Sequence, residues 1–170
     1  RNHSSAASDV YKRQVPIQSA ELLAAARDLI NENVDWSKID VILGIEAMGI
    51  PLAAALCLHS GKPLVIGRKR EYGLPGETPI DQSTGYSKGA IYLNDIHEGD
   101  RVFIVDDVVS TGGTLLPILK GIDKIGAIVA DCWIVFEKGE GMNYVRSHGD
   151  WPLNSLVRIE MQGNKVVLLD

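Results

Sequence analysis

A chain of 170 residues, 45% hydrophobic and 23% charged, has the make-up of one soluble globular domain with a sizeable core. The net charge of −5 argues against a general nucleic-acid partner, and the longest apolar run, residues 49–58, is too short to span a bilayer. Cys57 and Cys132 lie far apart in apolar surroundings, as buried reduced thiols of a cytoplasmic protein would, and His3, His59, His97 and His148 show no metal-ligand spacing.

Residues 1–14 are polar, aperiodic and without an initiating Met, and are similar to translated vector sequence, so the folded domain is expected over residues 15–170. Ser19 suits an N-cap for a helix over residues 20–30, where Leu22, Leu23, Ala26, Leu29 and Ile30 share one face. Val41–Ile45 predicts a buried strand, Glu46-Ala47-Met48-Gly49 a turn, and residues 50–59 an apolar helix that tolerates Pro51 in its first turn. After the break at Gly61-Lys62-Pro63 comes a second strand, Leu64–Gly67. Residues 68–88 are rich in Gly, Pro and charge, which predicts a long lid or binding loop. A short strand over residues 90–93 and a turn over residues 97–100 follow.

Residues 102–105 form a β-branched and aromatic run, the pattern of a strand buried on both faces. Asp106-Asp107-Val108-Val109-Ser110-Thr111-Gly112-Gly113-Thr114 continues from it, with the carboxylates placed where the strand is expected to end. Leu115–Ile125 reads as a helix, residues 128–136 as another buried strand, and residues 137–151 as irregular. Residues 156–161 and Lys165–Leu169 alternate about Gln162-Gly163-Asn164 as a closing hairpin. Strand and helix thus alternate, which predicts an α/β domain with a mostly parallel sheet and ligands at the carboxyl ends of its strands.

The central stretch carries a chemical reading. Glycines and a helix N-terminus turn backbone N–H groups and partial positive charge toward a phosphate, and the Ser110, Thr111 and Thr114 hydroxyls add donors. Carboxylates repel phosphate, so Asp106 and Asp107 need sugar hydroxyls or a metal-bound polyphosphate as partners. Acceptors followed by donors fit a ribose 5-phosphate; the plain alternative is a strand–turn–helix with a solvated acidic pair. Glu46–Gly49 offers a second anion-suited turn. Arg68-Lys69-Arg70 suggests a polyanion partner, or else a solvated surface cluster.

The segment of residues 102–114 resembles the phosphoribosyl-pyrophosphate (PRPP) motif of the type I phosphoribosyltransferases: apolar strand, two acids, two apolar residues, then Ser-Thr-Gly-Gly-Thr. Arg68-Lys69-Arg70-Glu71-Tyr72-Gly73-Leu74-Pro75-Gly76 is similar to a segment of the adenine-type enzymes, and Ser83-Thr84-Gly85-Tyr86-Ser87-Lys88-Gly89 to the family's flexible loop. The wording of these loops is nearest to the archaeal hypoxanthine/guanine phosphoribosyltransferases. The resemblance implies a type I phosphoribosyltransferase fold with a small, truncated hood, since the family carries a further stretch before Val15. It implies a purine-salvage enzyme making IMP or GMP from PRPP, with adenine as the second choice of base, and a homodimer.

By the same resemblance, Asp106, Asp107, Val108 and Ser110 through Thr114 bind the ribose 5-phosphate. Glu46, Ala47, Met48, Gly49, Arg68, Lys69, Arg70 and Lys88 bind pyrophosphate, and Thr84, Gly85, Tyr86 and Ser87 form the flexible loop. Asp106, Asp107 and Lys88 are the expected catalytic groups, and Phe136 and Glu137 the expected purine contacts, although Phe136 equally suits the core. Mg²⁺ is expected on PRPP and water rather than on protein ligands. Gly85 stands where adenine-type enzymes carry Glu, and Ser110 where the animal hypoxanthine/guanine enzymes carry Asp. The general base is therefore open among Glu77, Glu137 and Asp107. A PRPP-binding regulator without turnover is the alternative of another class; no helix-turn-helix stretch or basic arm accompanies the site.

Overall fold

The computed structural model describes residues 19–84, 87–163 and 165–169. The expected tail of residues 1–14, and Gly85 and Tyr86 of the expected flexible loop, lie outside the described residues. Helix α1 (Ala20–Asn33) starts where Ser19 Oγ accepts the Leu22 N–H at 3.1 Å. It is followed by β1 (Val41–Ile45), α2 (Gly49–Ser60), β2 (Leu64–Gly67), β3 (Thr78–Thr84), β4 (Ser87–Leu93), β5 (Arg101–Val109), α3 (Leu115–Ile125), β6 (Ile128–Lys138), α4 (Gly141–Arg146), β7 (Leu153–Gln162) and β8 (Lys165–Leu169).

Six strands form one sheet in the order β2-β1-β5-β6-β7-β8, parallel except for the antiparallel β7–β8 pair. Continuous apolar runs in β1 and β5 follow from burial on both faces. Leu43, Ile45 and Ile104 pack with Ile118 and Leu119 of α3 on one face, while Ile42, Phe103 and Val105 pack with Leu52, Leu56 and Ile30 of α2 and α1 on the other. Each fully buried Leu or Ile side chain contributes about 1.5–3 kcal/mol of transfer free energy, so these two layers fix the sheet between its helices. At the amino ends of β1 and β5, Arg101 grips the Asp40 carboxylate with bonds of 2.9 and 2.7 Å. Those hydrogen bonds hold the Asp40 carboxyl well below the usual carboxylate range.

Three expectations are corrected. Residues 68–88 are not one long loop: β3 and β4 pair as an antiparallel hairpin in a sheet of their own, from Thr78↔Leu93 to Thr84↔Ser87. The strand expected over residues 102–105 runs on through Asp106 and Asp107 to Val109, because β6 supplies backbone partners as far as Val109↔Glu137. The stretch expected to be irregular contains α4, whose Met142 and Val145 are fully buried in the core. No described helix is long and apolar enough to cross a membrane.

Candidate functional site

Because β1, β2 and β5 are parallel neighbours, the segments that follow them emerge at one end of the sheet. Asp106 is half-buried in β5, and its Oδ1 accepts the Asp107 N–H at 2.9 Å. Desolvation, and then the negative charge of Asp107, push the Asp106 carboxyl well above the usual carboxylate range; the Asp107 N–H and the positive charge of Lys69 act the other way. Asp106 and Ile134, with the stretch from Val108 to Leu115, line a cavity of about 160 Å³. Gly112 turns the chain with φ +77°, a conformation that a side chain would strain. Helix α3 then begins with no side-chain cap from Thr114 and no acid in its first turn, which leaves its N–H donors and partial positive charge for an anion.

The second turn shares these features. Helix α2 also starts without a side-chain cap or an acid in its first turn. Its first residue, Gly49, abuts β5, and a β-carbon there would come within 2.7 Å of the Val105 carbonyl oxygen. Glu46 Oε2 accepts the Lys69 N–H at 2.8 Å, so the segment after β2 is tied to the turn after β1. The structure therefore brings Glu46, Gly49, Lys69 and Asp106 together.

Arg68 is held differently. Its backbone exchanges hydrogen bonds with Tyr92, its Nη1 donates to the Tyr72 hydroxyl at 2.9 Å, and its Cζ stands 4.7 Å from the centre of the Tyr72 ring. Arg70 is exposed. Lys88 lies in β4 opposite Ser83, and Thr84 and Ser87 of the expected flexible loop pair across the β3–β4 hairpin. The base of that hairpin sits on α3, where a methyl at Gly121 would run into the Ile80 side chain.

The other expected groups also make contacts within the chain. Phe136 is half-buried and packs against the cluster beneath α1 and α2. Glu137 is only 2% exposed; its Oε2 accepts the Ser155 hydroxyl at 2.8 Å, and its Oε1 lies 3.5 Å from Arg158 Nε and 3.7 Å from Arg146 Nη1. The Glu77 carboxylate accepts from Gly73 N–H at 2.8 Å, from Tyr72 N–H at 3.2 Å and from Asn94 Nδ2 at 3.1 Å, closing the loop between them. A carboxylate so engaged is a structural clip on that loop.

Sequence reading missed the contact of Gly49 with Asp106 and the packing of α4 beneath Ser110 and Thr111. The available signals were a glycine opening each of those helices, after a strand.

The phosphoribosyl transferase domain family matches residues 17–150. The chain belongs to that family. A hypoxanthine/guanine phosphoribosyltransferase of Methanotorris igneus is 48% identical over 155 residues, covering 91% of this chain and 85% of the relative. One of Methanococcus voltae is 44% identical, covering 92% and 83%. Among solved structures, an adenine phosphoribosyltransferase of Rhodothermus marinus superposes with a TM-score of 0.71 at 26% identity, covering 92% of this chain and 99% of the other. The mostly parallel sheet with flanking helices is thus the type I phosphoribosyltransferase fold.

Proposed function

We propose that this phosphoribosyltransferase serves purine salvage, transferring the 5-phosphoribosyl group of PRPP to hypoxanthine or guanine to give IMP or GMP and pyrophosphate. The observation that carries the reading is the meeting of two anion-suited turns at Gly49 and Asp106, with the acidic pair at their junction. The choice of base rests on the names of the relatives at 44–48% identity. Adenine is the second reading, favoured by the 26% likeness to the Rhodothermus adenine enzyme.

In this reading Ser110, Thr111, Gly112, Gly113 and Thr114 wrap the 5-phosphate, with Val108 along the sugar, while Asp106 and Asp107 accept from the ribose diol. The purine nitrogen bonds to the sugar's anomeric carbon as its bond to pyrophosphate breaks. Positive charge grows on the sugar in the transition state, and the adjacent carboxylates stabilise it. Glu46–Gly49 supplies N–H donors to the departing pyrophosphate, and Arg68, Lys69, Arg70 and Lys88 supply positive charge. Closure of the flexible loop that includes Thr84, Gly85, Tyr86 and Ser87 excludes water, which otherwise hydrolyses PRPP. Phe136 and Glu137 lie at the end of β6, where the base enters; Glu137 acts there through its arginine partners.

A Mg²⁺ ion fits this chemistry, because Asp106 and Asp107 are hard oxygen donors whose mutual repulsion a nearby dication relieves. On this reading the ion would be held by the oxygens of PRPP and water, and the Asp106 and Asp107 carboxylates would supply negative charge near it. When bound, it neutralises charge on the pyrophosphate. A cytoplasmic homodimer completes the reading.

The test is a spectrophotometric panel of hypoxanthine, guanine and adenine with PRPP and Mg²⁺. IMP and GMP formation is expected. Exclusive AMP formation would move the assignment to adenine, and PRPP binding without turnover of any purine would favour the regulator.

A further inference from the structure

The turn that would hold the phosphoryl group does little to hold itself. Gly113 N–H reaches Thr111 Oγ1 at 3.4 Å, and Leu116 N–H donates to the Gly112 carbonyl at 3.0 Å. Its support comes from behind. A methyl at Gly141, the first residue of α4, would run into the Ser110 carbonyl and come within 2.8 Å of the Thr111 nitrogen. From the other side, a β-carbon at Gly112 would lie 2.7 Å from Val145 Cγ2, 2.9 Å from the Gly141 carbonyl oxygen and 3.1 Å from Tyr144 Cδ1. At Gly141 helix and turn meet backbone to backbone, while the Val145 and Tyr144 side chains rest against Gly112.

Helix α4 is itself fastened. Met142 and Val145 are fully buried, Arg146 Nη2 donates to the Leu153 carbonyl at 3.4 Å, and Arg146 Nη1 faces the buried Glu137 carboxylate. A rigid piece so placed fixes the shape of whatever rests on it.

Resting on the phosphoribosyl-transfer reading above, we propose that Gly141 is a positioning residue for the phosphate-binding turn: having no side chain, it lets α4 seat directly beneath Ser110 and Thr111, with the Tyr144 ring as backstop to Gly112. Neither residue touches substrate. Their effect is on where the turn's donors point, and therefore on the phosphate end of PRPP rather than on the purine.

The experiment measures kcat and the separate KM values for PRPP and for the purine in the wild type, Gly141→Ala and Tyr144→Ala. Calorimetry with ribose 5-phosphate gives phosphate-end affinity without turnover. For Gly141→Ala, the PRPP KM is expected to rise about tenfold and ribose 5-phosphate affinity to fall similarly, with the purine KM unchanged. An unchanged PRPP KM in a folded Gly141→Ala protein overturns the proposal, as does a loss confined to kcat, which marks fewer folded molecules. Where circular dichroism finds Gly141→Ala unfolded, Tyr144→Ala decides, since its half-exposed ring can be removed without a clash: about a threefold rise in the PRPP KM alone supports the role, and no change overturns it. A wild-type chain that binds neither PRPP nor ribose 5-phosphate brings down the proposed function together with this role. Normal wild-type binding with unaltered variants brings down the role alone.

Discussion

Gly49 and Asp106 touch across the gap between two turns: a β-carbon on Gly49 would fall 3.0 Å from Asp106 Oδ1. The N-terminus of α2 therefore shares a wall with the acidic end of β5. The same β-carbon would lie 2.7 Å from the Val105 carbonyl oxygen, so Gly49→Ala must displace the helix from β5 and not the carboxylate alone. Overpacking of this kind costs about 1–3 kcal/mol of stability. Urea unfolding should register that loss, and steady-state kinetics should register a PRPP KM raised roughly tenfold or more, as expected for an ångström-scale displacement at a binding site. A variant with wild-type kinetics would separate the two turns functionally.

Thr111 is exposed at the mouth of the cavity, and its Oγ1 engages Gly113 N–H only at 3.4 Å. Its hydroxyl is thus available to donate to a phosphoryl oxygen. Thr111→Ala should cost about 1.5–3 kcal/mol of PRPP affinity, roughly 10- to 150-fold in the dissociation constant. Calorimetry reads this directly, and equal affinities would remove the hydroxyl from the phosphate site.

The parallel core was legible because β1 and β5 are apolar along their whole buried length, and the phosphate turn because glycines and hydroxyls follow one of them. The β3–β4 hairpin was not. Among its described side chains only Ile80, Ile91 and Leu93 are buried, and Pro79 and Gly89 read as loop residues. Its pairing is a cross-strand property that local periodicity does not carry. The same limit hid the end of β5: two adjacent carboxylates suggest solvent, yet the ladder to β6 continues past them to Val109. Helix α4, six residues with two buried anchors, is too short to display a helical period. Glu137 was legible as an acid at a strand end, but not as the partner of Arg146 and Arg158, which arrive from later elements.

Glu77 clips the loop that follows the Arg68–Arg70 cations. Desolvation is the largest single influence on its carboxyl and raises it, but the hydrogen bonds from Asn94, Gly73 and Tyr72 together outweigh this and leave it below its ordinary value. A depressed folded-state value means that the clip is fully present above the ordinary 4.5 and is lost as pH falls through the lowered value. In Glu77→Gln the Tyr72 and Gly73 amides should exchange hydrogen faster at pH 7, and the difference from wild type should vanish at acid pH. The PRPP KM should rise only a few-fold, because the cations are displaced rather than removed.

Asp106 has the opposite linkage. Its carboxyl is raised by desolvation and by the charge of Asp107, so the native state holds a proton that the unfolded chain releases near 3.8. Its favourable contribution to stability is present below that ordinary value and is lost as pH rises through the raised one. Without ligand, the protein should therefore carry a penalty at neutral and alkaline pH that Asp106→Asn removes. Thermal melts from pH 4 to pH 9 should find the variant less pH-sensitive than the wild type over this window. Turnover should move against stability. The ionised pair is what would grip the ribose diol and face the growing positive charge, so Asp106→Asn should lower kcat/KM for PRPP by about 10- to 100-fold, the scale of one charged hydrogen bond. A variant that is both less stable at pH 8 and fully active would contradict the burial and the role together.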